Sequence, residues 1–258
     1  MYELAKRGLA SEVKQLISLR NLPLGYVHRD ETGLHLGATS TLEQLANARE
    51  ISNDPTLMVM SEALHEIRPM QVRNVATIGG EICTSLPLLD LPPALLALDT
   101  LGVVQGTNGR RTVPLNEFLV DFFLNALKPN EFLVEALIPN QPEHSGSAFF
   151  KFGRTAYDFN LVNVATRITI APDGKCSDAR IYLGGVARVP MRASAVENSI
   201  RQRAINDEMA SMGAQALGKF KAIPQIHGDA EYKLDIAHVL VRDSIKRAAE
   251  RARVVVTH

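Results

Sequence analysis

The segment Thr77-Ile78-Gly79-Gly80-Glu81 is the part of this 258-residue chain best suited by residue type to hold an anion. Two adjacent glycines beside β-branched neighbours allow successive backbone N–H groups to point inward, and the missing Cβ atoms let a diphosphate approach the main chain. The same dipeptide also marks ordinary turns and bulges, so residue type alone leaves both readings open. Glu81 works against the anion, because a carboxylate near a diphosphate is repelled unless it turns away or pairs with a cation. Nine residues on, past Pro87, Asp90 offers a carboxylate that either accepts from a sugar or polyol hydroxyl or caps the helix that Pro92 opens. Lys151 stands between Phe150 and Phe152 and on a strand faces away from both.

The elements around these residues follow from periodicity and turn chemistry. Residues 13–19 read as a short strand, and 25–29 with 34–38 as a hairpin around Asp30-Glu31-Thr32-Gly33. Thr41 and Gln44 have capping-box spacing. Pro55 opens a helix whose apolar positions Leu57, Met60, Ala63, Leu64 and Ile67 recur at helical spacing until Pro69. Residues 103–105 and 111–113 form a second hairpin across an Asn-Gly turn, 115–122 a short helix and 132–138 a strand. Residues 140–147 carry Pro142 and Gly146 without apolar periodicity and mark the best domain boundary. Beyond it, strands are expected at 148–152, 165–170 and 179–184, and helices at 193–203, 207–217 and 233–253.

Composition removes several functions. Lys plus Arg and Asp plus Glu number 28 each, so the chain lacks the global basic field that nucleic-acid binding requires. Arg242, Lys246, Arg247, Arg251 and Arg253 recur at helical spacing and read as a solvated helix face, or else as a docking surface for an acidic partner. Cys83 and Cys176 are the only cysteines, too few for an iron–sulfur cluster or a cysteine zinc site, and Cys83 reads as a small buried filler. The seven histidines show no metal-binding spacing. Neither a nucleophilic triad nor a Gly-x-x-x-x-Gly-Lys loop is present. No run approaches the roughly 20 apolar residues of a membrane helix, and Glu3, Lys6 and Arg7 interrupt any signal peptide, so a cytoplasmic location is expected.

Longer motifs carry a family resemblance. Arg73-Asn74-Val75-Ala76-Thr77-Ile78-Gly79-Gly80, followed by Pro87-Leu88-Leu89-Asp90-Leu91-Pro92-Pro93-Ala94-Leu95-Leu96-Ala97-Leu98, resembles the flavin-binding subunit of the molybdenum hydroxylases, the xanthine dehydrogenase and carbon monoxide dehydrogenase family. Phe149-Phe150-Lys151-Phe152-Gly153-Arg154, Leu183-Gly184-Gly185-Val186-Ala187-Arg188-Val189-Pro190-Met191-Arg192 and Gly228-Asp229-Ala230-Glu231-Tyr232-Lys233 extend the similarity nearly to the C-terminus.

The resemblance implies an α+β chain, with a truncated two-part FAD-binding domain over residues 1–141 and a smaller α/β C-terminal domain over 147–258. By the same resemblance, Thr77, Ile78, Gly79, Gly80 and Glu81 follow the FAD diphosphate, although the family usually has Asn where Glu81 stands. Asp90 binds the ribityl or ribose, Leu133 packs on the flavin ring edge, Lys151 raises the flavin potential from the pyrimidine end, and Tyr157, beside Asp158, shields one ring face. The implied assembly is a dimer of heterotrimers, in which a molybdopterin-binding large subunit oxidises substrate and a [2Fe–2S] small subunit relays electrons to this one. A flavin-free scaffold subunit of the same complex is the alternative. Family members usually begin with a strand, a helix and an A-G-G-T-type loop ahead of a segment like Tyr2 to Leu9, so the chain as given is expected to hold FAD weakly.

Overall fold

The computed structural model describes residues 13–220, 222–223 and 229–254; the segment Tyr2 to Leu9 and Gly228 lie outside the described residues. The first elements of the described residues are the hairpin strands β1 (Val27–Arg29) and β2 (Gly33–Gly37). Short helices follow: α1 (Leu42–Ala46), α2 (Arg49–Ser52), α3 (Met58–Glu66), α4 (Met70–Arg73), α5 (Ile78–Thr84) and α6 (Leu91–Ala97). Strands β3 (Leu101–Gly106) and β4 (Gly109–Pro114), helix α7 (Leu115–Phe118), the small hairpin β5 (Leu119–Asp121) with β6 (Leu124–Asn125), and β7 (Phe132–Pro139) complete the first unit. Its five-stranded sheet runs β1-β2-β7-β3-β4 and is antiparallel throughout.

Local chemistry accounts for these starts. The Thr41 side chain accepts from the Gln44 N–H while the Gln44 side chain accepts from the Thr41 N–H, the expected capping box. Pro55 opens a 3-10 turn capped by Asp54, and α3 continues it, burying Val59, Met60, Ala63 and Leu64 on one face.

The second unit is an antiparallel sheet of β8 (Ser145–Phe152), β9 (Val162–Ile170), β10 (Cys176–Gly184) and β11 (Met191–Arg192), in the order β11-β10-β9-β8. Helices α8 (Ser194–Ile200), α9 (Asp207–Gln215) and α10 (Ala230–Val254) pack on it. Its two faces belong to different cores. Phe149, Ala165 and Tyr182 join the core of the first unit, whereas Ala148, Val164, Ile181 and Leu183 pack with Ile245, Ala248 and Ala252 of α10. Strand alternation therefore places Lys151, two residues after Phe149, toward the first unit.

Four expectations change. Residues 13–19 form no strand, and Leu16 and Ile17 stand 72% and 73% exposed. The helix expected over 115–122 stops at Phe118, because the chain turns into β5 and β6 with Phe123 at φ 57°. The boundary expected over 140–147 ends early, since Ser145 and Ser147 already belong to β8 with no exposure, their hydroxyls bonded to Thr169 and to the Thr56 carbonyl. The basic face of α10 is not wholly solvated either: Arg251 pairs with Glu62 of α3 through both terminal nitrogens (3.0 and 2.5 Å) and donates to the Ser147 carbonyl.

Candidate functional site

The glycine segment folds as the start of α5 rather than as an open loop. Thr77 is the N-cap, its hydroxyl oxygen accepting from the Gly80 N–H at 3.1 Å. The other N–H groups are also donated within the protein: Ile78 to the Ser40 carbonyl (3.1 Å), Gly79 to the Ala38 carbonyl (2.9 Å) and Glu81 to the Thr77 carbonyl (3.0 Å). Neither Gly79 nor Gly80 has positive φ. The expected row of free backbone donors at Ile78, Gly79, Gly80 and Glu81 is thus absent, because the first turn of α5 docks against the strand end at Ala38–Ser40. A Cβ on Gly79 would stand 2.6 Å from the Ala38 oxygen, which is why this position takes glycine. The Thr77 hydroxyl keeps its proton free to donate, and Thr77 faces a cleft of about 510 Å3 shared with Arg20, Thr39, Thr41, Gln44 and Asn74.

A second cleft, of about 280 Å3, lies between the two units. Ile67, Pro69, Val72, Leu88 and Leu89 give it apolar walls; Glu81, Asp90, Lys151 and Asp158 give it charge; Tyr157 and Phe159 stand at its mouth, 74% and 56% exposed. The Lys151 ammonium donates to Asp90 at 2.6 Å, with both side chains almost fully buried. Asp90 also accepts from the amides of Asn160 (3.2 Å) and Asn163 (3.0 Å). Burial pushes the Asp90 carboxyl upward, and Lys151, Asn163 and Asn160 oppose it. Asp90 makes no side-chain cap bond to α6, which removes the capping role.

Glu81 sits apart from this bonding. The residue as a whole is half-buried, and its Oε2 is enclosed with no hydrogen-bond partner. Burial and the neighbouring Asp90 push its pKa up to about 8 against the pull of the Leu91 N–H and Lys151. The Cys83 thiol, two residues on, is pushed up to about 12 by burial, consistent with an inert filler. Leu133 lies in the core of the first unit at 3% exposure, outside the lining of either cleft, so its side chain is engaged by protein rather than by the cleft.

Sequence reasoning missed Asn160, Asn163 and Gly185. The hints were two asparagines three apart in the apolar run Asn160-Leu161-Val162-Asn163-Val164 and the Gly184-Gly185 pair within a motif of the family resemblance. Asn163 Oδ1 accepts from the Gly184 N–H at 2.9 Å, and Gly185, at φ 78°, donates its N–H to the Pro87 carbonyl. That loop thereby fixes Asn163 by a hydrogen bond and packs closely against Asn160 Oδ1.

These residues fit FAD in part. An apolar cleft with a few convergent polar groups, an orphaned Glu81 oxygen and two exposed aromatic rings suits a planar ring with a hydroxylated chain. The diphosphate finds only the Thr77 hydroxyl at the glycine segment.

Residues 3–141 match the family of FAD binding domains in molybdopterin dehydrogenases, and residues 147–248 match the CO dehydrogenase flavoprotein C-terminal domain. The chain is 31% identical over 240 residues to the alpha subunit of the 6-hydroxypseudooxynicotine dehydrogenase complex of Paenarthrobacter nicotinovorans, covering 92% of this chain and 80% of that one. It is 30% identical over 239 residues to the nicotine 6-hydroxylase medium subunit of the same organism, covering 92% and 82%. A solved carbon monoxide dehydrogenase from Hydrogenophaga pseudoflava superposes with a TM-score of 0.82 at 29% identity, over 88% of this chain and 79% of that one. The chain belongs to the FAD-binding medium subunits of the molybdenum hydroxylase family.

Proposed function

We propose that this subunit takes electrons from [2Fe–2S] clusters in a small partner subunit and passes them through FAD to an external acceptor. The large molybdopterin subunit of the same cytoplasmic complex, a dimer of heterotrimers, would oxidise the substrate. In this reading residues 1–141 form the FAD-binding domain and 147–258 the C-terminal domain. The observation that carries it is the buried Lys151–Asp90 pair in the wall of an apolar cleft between the two units.

FAD, when bound, supplies the redox chemistry; the protein supplies position and charge. Asp90, fixed by Lys151, Asn160 and Asn163, accepts from a cofactor hydroxyl. Lys151 keeps a cation at the cleft wall, which favours negative charge on a reduced cofactor. Tyr157 and Phe159 cover the mouth and limit water. The Thr77 hydroxyl contacts the phosphate end. A flavin-free scaffold is disfavoured by the match of residues 3–141 to FAD-binding domains.

The test is purification with the co-expressed partner subunits, followed by FAD quantification and anaerobic reduction. A stoichiometric flavin that is reduced with the clusters, and reoxidised by an added quinone or by NAD, is the expected result. A complex with intact clusters and no flavin would sink the reading.

A further inference from the structure

Deep in the cleft between the units the Glu81 and Asp90 carboxyls share one ammonium, that of Lys151, while the third carboxyl, Asp158, pairs with Arg154 nearer the solvent. Asp90 has three side-chain donors, Lys151, Asn160 and Asn163. Glu81 Oε2 has none, and the Leu91 N–H is the one backbone group drawn toward its carboxyl. With a single cation for two enclosed carboxyls, ionising both leaves an uncompensated buried charge, which is far costlier than leaving one neutral. Burial raises both carboxyls, and Lys151, Asn163 and Asn160 oppose that rise at Asp90, so of the two Glu81 is the better placed to hold the proton.

We propose that Glu81 is a hydrogen-bond donor in this cleft, presenting its protonated carboxyl to an acceptor oxygen of the bound FAD while Asp90 takes the opposite role and accepts from a cofactor hydroxyl. This rests on the cleft being the FAD site. A neutral acid removes the repulsion that a carboxylate would impose beside an anionic cofactor, and it satisfies the orphaned oxygen on binding. The other groups facing the cleft do not supply this proton. Lys151 is paired with Asp90, Asp158 with Arg154 at 3.2 Å, and Tyr157 stands exposed at the mouth.

Two measurements on the purified complex decide the matter. The first is FAD affinity against pH for the wild type and for Glu81→Gln, whose amide donates at any pH. The wild-type Kd should stay level below about pH 8 and rise about tenfold per unit above it, while Glu81→Gln stays flat. The second is infrared difference spectroscopy of the same proteins with flavin removed. A carboxylic-acid C=O stretch should be present at pH 7, fade above pH 8 and be missing in Glu81→Gln.

A wild-type affinity independent of pH, or the same pH dependence in both proteins, would overturn the proposal; the latter would place the titration elsewhere, for example at Lys233. Absence of the acid band at pH 7 would overturn it whatever the flavin does. Failure of FAD to bind at any pH, with the acid band present, would overturn the FAD reading and with it the donor role, and is told apart by that band.

Discussion

Two diglycines in this chain behave in opposite ways. Gly79-Gly80 lies in the first turn of α5 with ordinary helical backbone, and every N–H from Ile78 to Glu81 is bonded inside the protein. Gly184-Gly185 closes β10, where Gly185 adopts φ 78° and a Cβ would stand 2.4 Å from both Asn160 Oδ1 and the Leu161 oxygen. At Gly184 a Cβ would stand 2.3 Å from Asn163 Oδ1. In the first pair Gly79 is small so that a helix can dock on a strand end. The second is small so that a loop can press on the two asparagines that hold Asp90. Backbone freedom matters where a charged group is being aimed, and the more conspicuous pair is the one with the more ordinary structural reason.

The comparison is tested hardest at the group the second pair supports. Asp90→Ala should cost about 3–5 kcal/mol in denaturant unfolding by leaving the Lys151 ammonium buried and unpaired. Asp90→Asn combined with Lys151→Met should recover much of that loss. If the single variant is neutral, the pair is not the anchor of the cleft. Gly185→Ala should follow, with about 1–2 kcal/mol for left-handed backbone and about 1–3 kcal/mol for displaced neighbours, together with weakened FAD retention. Gly79→Ala should lose about 1–3 kcal/mol through contact with the Ala38 oxygen. Normal FAD affinity per folded molecule in that variant would fit a structural role, whereas a selective loss of FAD would restore the cradle.

A pH effect of intermediate size connects to the same loop. Lys233 has no exposure, donates to the Gly185 carbonyl at 2.7 Å and the Ile223 carbonyl at 2.9 Å, and burial lowers its pKa from 10.5 to about 8. Between those values the unfolded chain binds more protons than the folded one, so the Lys233 contribution to stability rises with pH across about 8 to 10.5, by about 1.4 kcal/mol per unit. Wild type should therefore gain on Lys233→Met over this window; parallel curves would show that the lysine is not perturbed. The smallest effect is expected at Gly80, where an added Cβ meets only Thr77 Oγ1 at 3.3 Å. Helix propensity favours Gly80→Ala by up to about 1 kcal/mol, offset by crowding of the cap, so melting temperature should barely move.

Much of this was legible in residue order. Thr41 with Gln44, Pro55 with the Leu57 to Leu64 periodicity, and the Asn-Gly turn at 108–109 are local signals, each read from residues within a turn or two of one another, and the structure follows them. The family motifs, being contiguous, likewise placed the chain among FAD-binding subunits. What no local pattern contained was the pairing of groups distant in sequence. Lys151 meets Asp90 across 61 positions and Asn163 meets it across 73, because the two faces of one sheet serve two cores and aim alternate residues of β8 at the first unit. Burial likewise decided the state of Glu81: its residue type says carboxylate, but an enclosed cleft with one cation already engaged by Asp90 favours the acid. Sequence determined the segments and the kind of chemistry, since these depend on short-range sterics and hydrogen bonding. Tertiary structure alone decided which polar groups remain unsatisfied, because that depends on what each group meets after packing.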